Sequence, residues 1–297
     1  MAKTFIGISG WTYAGWRRLF YPEGLPPRQE LPFASLQFNA IEINGTFYRL
    51  QRPENFATWR DVTPDGFRFA VKGSRFITHM KQLRDPRAPL ANFFASGVLR
   101  LEEKLGPLLW QFSDRMRYDR ARFEPFIAML PQSERSASKL ARHHDGRLDG
   151  RASYHTETDR RVRHAFEVRH ESFMCDDFLD LLRQHHMALV FSDAAAEWPY
   201  AEDVTSDFVY LRLHGAEELY ASGYDAQSLD RWARKLRSWT SGREPRDALR
   251  AGSRKAPHAS GRDAYVFFDN DAKVHAPFDA MELADRLHVD WRHEHAE

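Results

Sequence analysis

Residues 40–50 read AIEINGTFYRL. On an extended chain Ile41 and Ile43 face one way, while Glu42 and Asn44 face the other. A buried strand that turns an acid and an amide onto its second face, close to its end, suits the carboxyl end of a strand in a parallel barrel. There the strand ends open together on the face where such folds build their sites. Seven further short apolar runs repeat the arrangement: FIGIS (5–9), RFAVK (68–72), PLLWQF (107–112), HAFEVR (164–169), ALVFSD (188–193), FVYLRLHG (208–215) and AYVFFDN (264–270). Each is followed by a polar or glycine-bearing turn and then a segment of helical spacing. PENFATWRDVT (53–63), CDDFLDLLRQHHM (175–187) and DAQSLDRWARKLRSWTSG (225–242) are the clearest helical segments.

Eight βα units in 297 residues favour an α/β fold of the TIM-type (β/α)8 barrel kind over an open doubly wound sheet. The first turn, GISGWTYAGW (7–16), has bulky aromatics where a dinucleotide-binding fold needs its glycine fingerprint. Two polar, basic stretches, 131–163 and 241–263, break the rhythm and read as polar loop excursions from a single domain spanning 1–297.

A hydrophobic content of 42% beside 29% charged residues is that of an ordinary globular protein, not a disordered or membrane-embedded one. No apolar run approaches the roughly 18 residues that span a bilayer. The start, MAKTFIGISG, enters a strand at once without a secretory segment, so the expected location is cytoplasmic. A net charge of +1 offers no global attraction to nucleic acid or membrane. The single cysteine, Cys175, excludes an intrachain disulfide and a multi-thiolate metal site.

Period-two parity assigns the inward faces. Lys72, Gln111, Glu167 and Arg169, Asp193, Tyr210, Arg212 and His214, and Asp269 join Glu42 and Asn44 as inward or strand-end polar groups. Pairwise neutralisation of buried charges explains any single pair, but desolvating the whole set without a ligand is costly. Loops after the strands add Trp11, Tyr13 and Trp16, Phe47 and Tyr48, and Tyr220 and Tyr224. Aromatic faces above a charged floor suit a flat or sugar-like ligand with an anionic group. His79 and His170 are loop candidates for proton transfer or phosphate contact. The acids and His214 raise a divalent-metal alternative; against it stand Lys72, Arg169 and Arg212 in the same set, and the absence of an HxH or HExxH spacing.

Seven stretches carry a family resemblance: IGISGWTYAGWRRLFYPEGLP, FNAIEINGTFYRLQRPENFATW, TPDGFRFAVKGSRFITHMKQL, LGPLLWQF, FEVRHESF, VYLRLHG and FFDND. Together, from about Phe5 to Leu287, the chain resembles the YecE-like family, known as domain of unknown function 72. The resemblance implies a TIM-type barrel and no established reaction. The sequence departs from the family pattern in FSDRM after Gln111, in Phe173 where the family has tryptophan, and in Asp269 where it tends to have an amide.

The expected function is that of an enzyme acting on a small anionic substrate, phosphorylated sugar-like or nucleotide-like, without a tightly held cofactor. Lys72, Arg169 and Arg212 would bind the anion, Glu42 or Glu167 would act as base and His214 as acid, with Asn44 and Gln111 orienting polar groups. Asp193, Asp269, Trp11, Tyr48, His79 and Tyr224 complete the expected binding set. The rivals are a nucleic-acid-binding, repair-associated phosphodiesterase and a non-catalytic small-ligand sensor.

Overall fold

The computed structural model of the chain describes residues 2–215 and 217–289. The eight apolar runs are all strands: β1 Thr4–Ser9, β2 Ala40–Ile43, β3 Arg68–Lys72, β4 Leu105–Gln111, β5 His164–Glu167, β6 Ala188–Asp193, β7 Phe208–Leu213 and β8 Asp263–Phe268. They close in chain order into a parallel barrel, as the rhythm of the sequence requires. Register sets the polar strand ends beside one another: Ser9 pairs with Glu42, Gln111 with Glu167, and Ser192 with Arg212. At Gly7 a Cβ would stand 1.8 Å from the carbonyl oxygen of Ala40, so β1 approaches β2 at a distance only glycine allows.

The helices that position the site are α1 Pro53–Asp61, α2 Arg87–Ala95, α3 Arg120–Met129, α4 Glu134–Ala141, α5 Asp176–Gln184, α6 Ala226–Thr240 and α7 His275–Leu287. Proline at the first position of α1 starts it at no hydrogen-bond cost. Asp225 caps α6 by accepting from the Ser228 N–H at 2.7 Å, and Leu229, Trp232, Leu236 and Trp239 form its buried stripe. No helix among the described residues is long and apolar enough to cross a membrane.

The chain divides into two compact units, Met1–Glu42 with Glu171–Glu297, and Ile43–His170. The first unit packs around Trp16, Phe38, Phe191 and Trp239; the second packs around Phe93, Trp110, Phe126 and Phe166. In the second, the fully buried His164 accepts from Trp110 Nε1 at 3.0 Å through Nδ1, and its Nε2 lies 2.7 Å from the Pro131 carbonyl. A carbonyl can only accept, so the proton sits on Nε2 and the ring is neutral.

Both polar excursions are structured. Within 131–163, α4 begins with a capping box between Ser133 and Ser136. Glu134 in its first turn is buried and accepts from Thr158 Oγ1, from the Arg160 N–H at 3.1 Å and from Arg160 Nε at 2.9 Å, which draws the returning chain onto the helix start. Within 241–263, buried Glu202 and Asp203 accept main-chain N–H groups: Leu249 at 3.2 Å on Glu202, Ala251 at 2.7 Å and Gly252 at 3.2 Å on Asp203. Asp176 holds the Ser253 N–H at 2.7 Å, and buried Arg262 donates to the carbonyls of Arg243 and Pro257.

Candidate active site

In the first unit, four of the expected residues meet at the carboxyl ends of β2, β7 and β8. Arg212 is fully buried, and its Nη2 lies 2.9 Å from Glu42 Oε1 and 2.7 Å from Asp269 Oδ2. Glu42 also accepts from Tyr210 Oη at 2.6 Å and Ser9 Oγ at 3.1 Å, so three donors hold its two oxygens. Such a carboxylate positions the guanidinium and has little capacity left to take a substrate proton. Asp269 Oδ2 lies 3.1 Å from Nδ1 of the buried His214, whose ring meets Trp198 and Tyr220 edge-on.

Asp193 and Tyr224 form a support behind this group. The Tyr224 hydroxyl donates to Asp193 at 3.0 Å and accepts from the Gly215 N–H at 3.2 Å. The Asp193 carbonyl accepts from the His214 N–H at 2.8 Å, which fixes the histidine's backbone. Burial raises the Asp193 carboxyl above its ordinary range, against the pull of the Tyr224 hydrogen bond. Burial and the Asp193 charge raise the Tyr224 hydroxyl well above its own. Tyr224, expected to touch a ligand, is buried, with its hydroxyl engaged by Asp193 and the Gly215 N–H. Trp11 is half-buried, with its carbonyl accepting from Tyr21 Oη at 2.5 Å.

Asp271 escapes the sequence reading, and Tyr13 enters it only as a loop aromatic. Burial pushes the Asp271 carboxyl up to about 6, and the charge of Asp269 adds to the effect. The Tyr13 hydroxyl donates to the Ser9 carbonyl and lies beside Asp271; burial, Asp269 and Asp271 raise it. FFDND shows two acids at i and i+2, but a sequence does not reveal that the first meets Arg212 while the second lies beside Tyr13.

In the second unit, Gln111, Glu167 and Arg169 form a chain at the ends of β4 and β5. Gln111 Nε2 donates to Glu167 at 3.0 and 3.1 Å, and Arg169 donates to Glu167 Oε1 through Nε at 3.0 Å and Nη2 at 2.8 Å. Glu167 is wholly buried while Arg169 keeps a partly open side chain, so the acid aims the arginine. Lys72 Nζ sits 4.6 Å above the Phe47 ring, and His79 meets that ring edge-on. His79 stands in a π-turn, Phe76–Met80, with Nδ1 2.9 Å from Thr78 Oγ1. Burial, followed by the charges of Arg169 and Lys72, lowers its pKa, with Glu167 opposing. Tyr48 is exposed, with the Arg75 guanidinium 5.2 Å from its ring centre. Asn44 precedes the helical turn Gly45–Tyr48, and its Oδ1 is buried without a hydrogen-bond partner among the described residues. Among those residues no three of His, Cys, Asp and Glu lie close enough together to hold a metal ion.

The family model described as "Protein of unknown function DUF72" matches residues 5–296. The chain belongs to the DUF72 family. Its curated relatives include the UPF0759 protein YecE of Escherichia coli K12, 32% identical over 126 residues, a match covering 38% of this chain and 44% of that protein. YunF of Bacillus subtilis is 27% identical over 113 residues, covering 36% of this chain and 39% of that one. The matched stretch thus spans less than half the length of these relatives. Among solved structures, a DUF72 family protein of Thermotoga maritima superposes with a TM-score of 0.71 at 23% identity, covering 96% of this chain and 99% of its own. One from Enterococcus faecalis gives 0.68 at 15% identity, covering 98% and 97%. The DUF72 assignment agrees with the YecE-like resemblance of the sequence motifs, and these structures share the barrel fold.

Proposed function

We propose that the protein is an enzyme acting on a small anionic substrate, phosphorylated and sugar-like or nucleotide-like, by acid–base and electrostatic catalysis. The observation that carries this reading is the grouping of Lys72, Arg169 and a neutral His79 in the second unit, where one buried carboxylate, Glu167, orients the arginine. Lys72 and Arg169 supply fixed positive charge for the anion. His79, held neutral beside them, accepts or returns a proton, and Gln111 is held in place by Glu167. In the first unit we assign proton handling to His214 with Asp269, and give Glu42 and Arg212 the task of holding Asp269 in place.

Titration calorimetry against sugar phosphates and nucleoside monophosphates tests the reading. Lys72→Met and Arg169→Met are each expected to weaken binding by roughly tenfold or more, the scale of one charge-assisted hydrogen bond. Unchanged affinity in both variants, or no binding by any of these anions, overturns it. Turnover of the bound anion separates an enzyme from a ligand sensor.

The lowered pKa of His79 adds a pH signature. A bound anion favours the imidazolium, so affinity is expected to rise as pH falls below the ordinary histidine range, with proton uptake on binding. His79→Asn should flatten that dependence while leaving affinity at pH 8 nearly intact. An equally steep profile in the variant would remove His79 from the site.

A second reading, oligonucleotide binding, is favoured by one observation: Tyr48 is 65% exposed under the Arg75 guanidinium, a platform on which a base can stack. Binding that falls steeply with salt and is lost in Tyr48→Ala supports it.

A further inference from the structure

The loop between α6 and β8 lines a half-open surface cavity of about 560 Å³, within the range of small-molecule sites. Its charged lining is Arg243, Arg246, Arg250, Lys255 and His258 against a single acid, Glu244. Permanent cations outnumber carboxylates by three. Glu244 Oε1 is buried without a hydrogen-bond partner among the described residues and lies 3.9 Å from Arg250 Nε, so it offsets one cation of the five basic groups at ion-pair distance only. Arg246, Lys255 and His258 have no ion-pair or hydrogen-bond partner among the described residues. Cations so placed repel one another, and the loop gains from an anion that neutralises them.

The loop is held in shape without that anion. Asp203, Glu202 and Asp176 grip its main-chain N–H groups, and Arg262 ties the Arg243 limb to the Pro257 limb from below. A ligand therefore meets a preformed site and does not bear the entropy of ordering the loop. The lining holds no Phe, Tyr or Trp, so nothing in it offers an extended aromatic face to a nucleobase. Its recognition chemistry is charge on opposed limbs, with Arg243 and Arg246 on one and Lys255 and His258 on the other.

We propose that this loop is a second ligand site, taking a small molecule that carries two or more linked phosphate groups. A single phosphate balances only part of the excess of three cations, which a di- or triphosphate matches more fully. The site lies at the amino end of β8, whereas Arg212, His214 and Asp269 lie at or just beyond the carboxyl ends of β7 and β8. It is independent of the barrel reading and stands without it.

The test is calorimetry on the full chain at low ionic strength with orthophosphate, pyrophosphate, tripolyphosphate and a 12-nucleotide single strand. Affinity is expected to rise from orthophosphate to tripolyphosphate. Arg246→Ala/Lys255→Ala is expected to weaken tripolyphosphate binding by about tenfold or more, the scale of lost charge-assisted hydrogen bonds. Both residues are exposed and unpartnered, so the variant should melt with the parent. Lys72→Met should bind tripolyphosphate as the parent does, which separates this site from the barrel residues. No tripolyphosphate binding, equal binding by the double variant, loss of binding in Lys72→Met, or binding by the oligonucleotide alone each overturns the proposal.

Discussion

Replacing Arg212 with methionine is expected to lower the stability of the fold by about 3–5 kcal/mol, the range for breaking a buried ion pair by removing one partner. The guanidinium is wholly buried between Glu42 and Asp269, and methionine fills much of its volume but none of its charge. Two carboxylates then stand in the protein interior without their cation, and Glu42 keeps only the hydroxyls of Ser9 and Tyr210. Denaturant unfolding at pH 7 measures the loss. Adding Glu42→Gln should recover part of it, because one of the stranded charges goes. A loss of under about 1 kcal/mol, typical of an exposed pair, would mean that the triad is hydrated.

Acidification is expected to strike at His164. Its pKa is lowered from the usual 6.5 to about 4 by complete burial, against the favourable Pro131 carbonyl. A depressed folded-state value means that the unfolded chain takes up the proton first. The stabilisation is full above pH 6.5 and is lost as pH falls through that value toward 4. The gap corresponds to about 3 kcal/mol at the lower end. Protonation would also place a second N–H against the Trp110 N–H, which now donates to that nitrogen. Unfolding of the parent and of His164→Gln between pH 7 and 4 measures the difference. The variant is less stable at pH 7 and shows a shallower acid loss; parallel pH profiles would acquit the histidine.

The barrel was legible because its evidence is local. Each strand is a short buried run such as Ala40–Ile43 or Phe208–Leu213, ended by a turn, and parity alone set Glu42 and Arg212 on one face. Helix α6 was equally plain, since its tryptophans recur at helical spacing behind an aspartate cap. What could not be read depends on distant partners. That Tyr224 meets Asp193, or that Arg169 adds to the burial that lowers the His79 pKa, is set by folds of chain 31 and 90 residues apart. Helix α4 escaped because its buried face is built from Ala137, Ser138 and Ala141, too small and polar to stand out. The order of 241–263 escaped because its anchors, Asp176, Glu202 and Asp203, lie far upstream of it.

Those anchors hold the loop by its main chain and ask almost nothing of its side chains. Positions 243, 246, 255 and 258 can therefore exchange residues without altering the path of the backbone that presents them. Chemistry in a barrel mouth is hard to alter, because Arg212, Glu42 and Asp269 are needed by the fold as much as by any substrate. In the loop those two demands are separate: its side chains can change at little cost to folding.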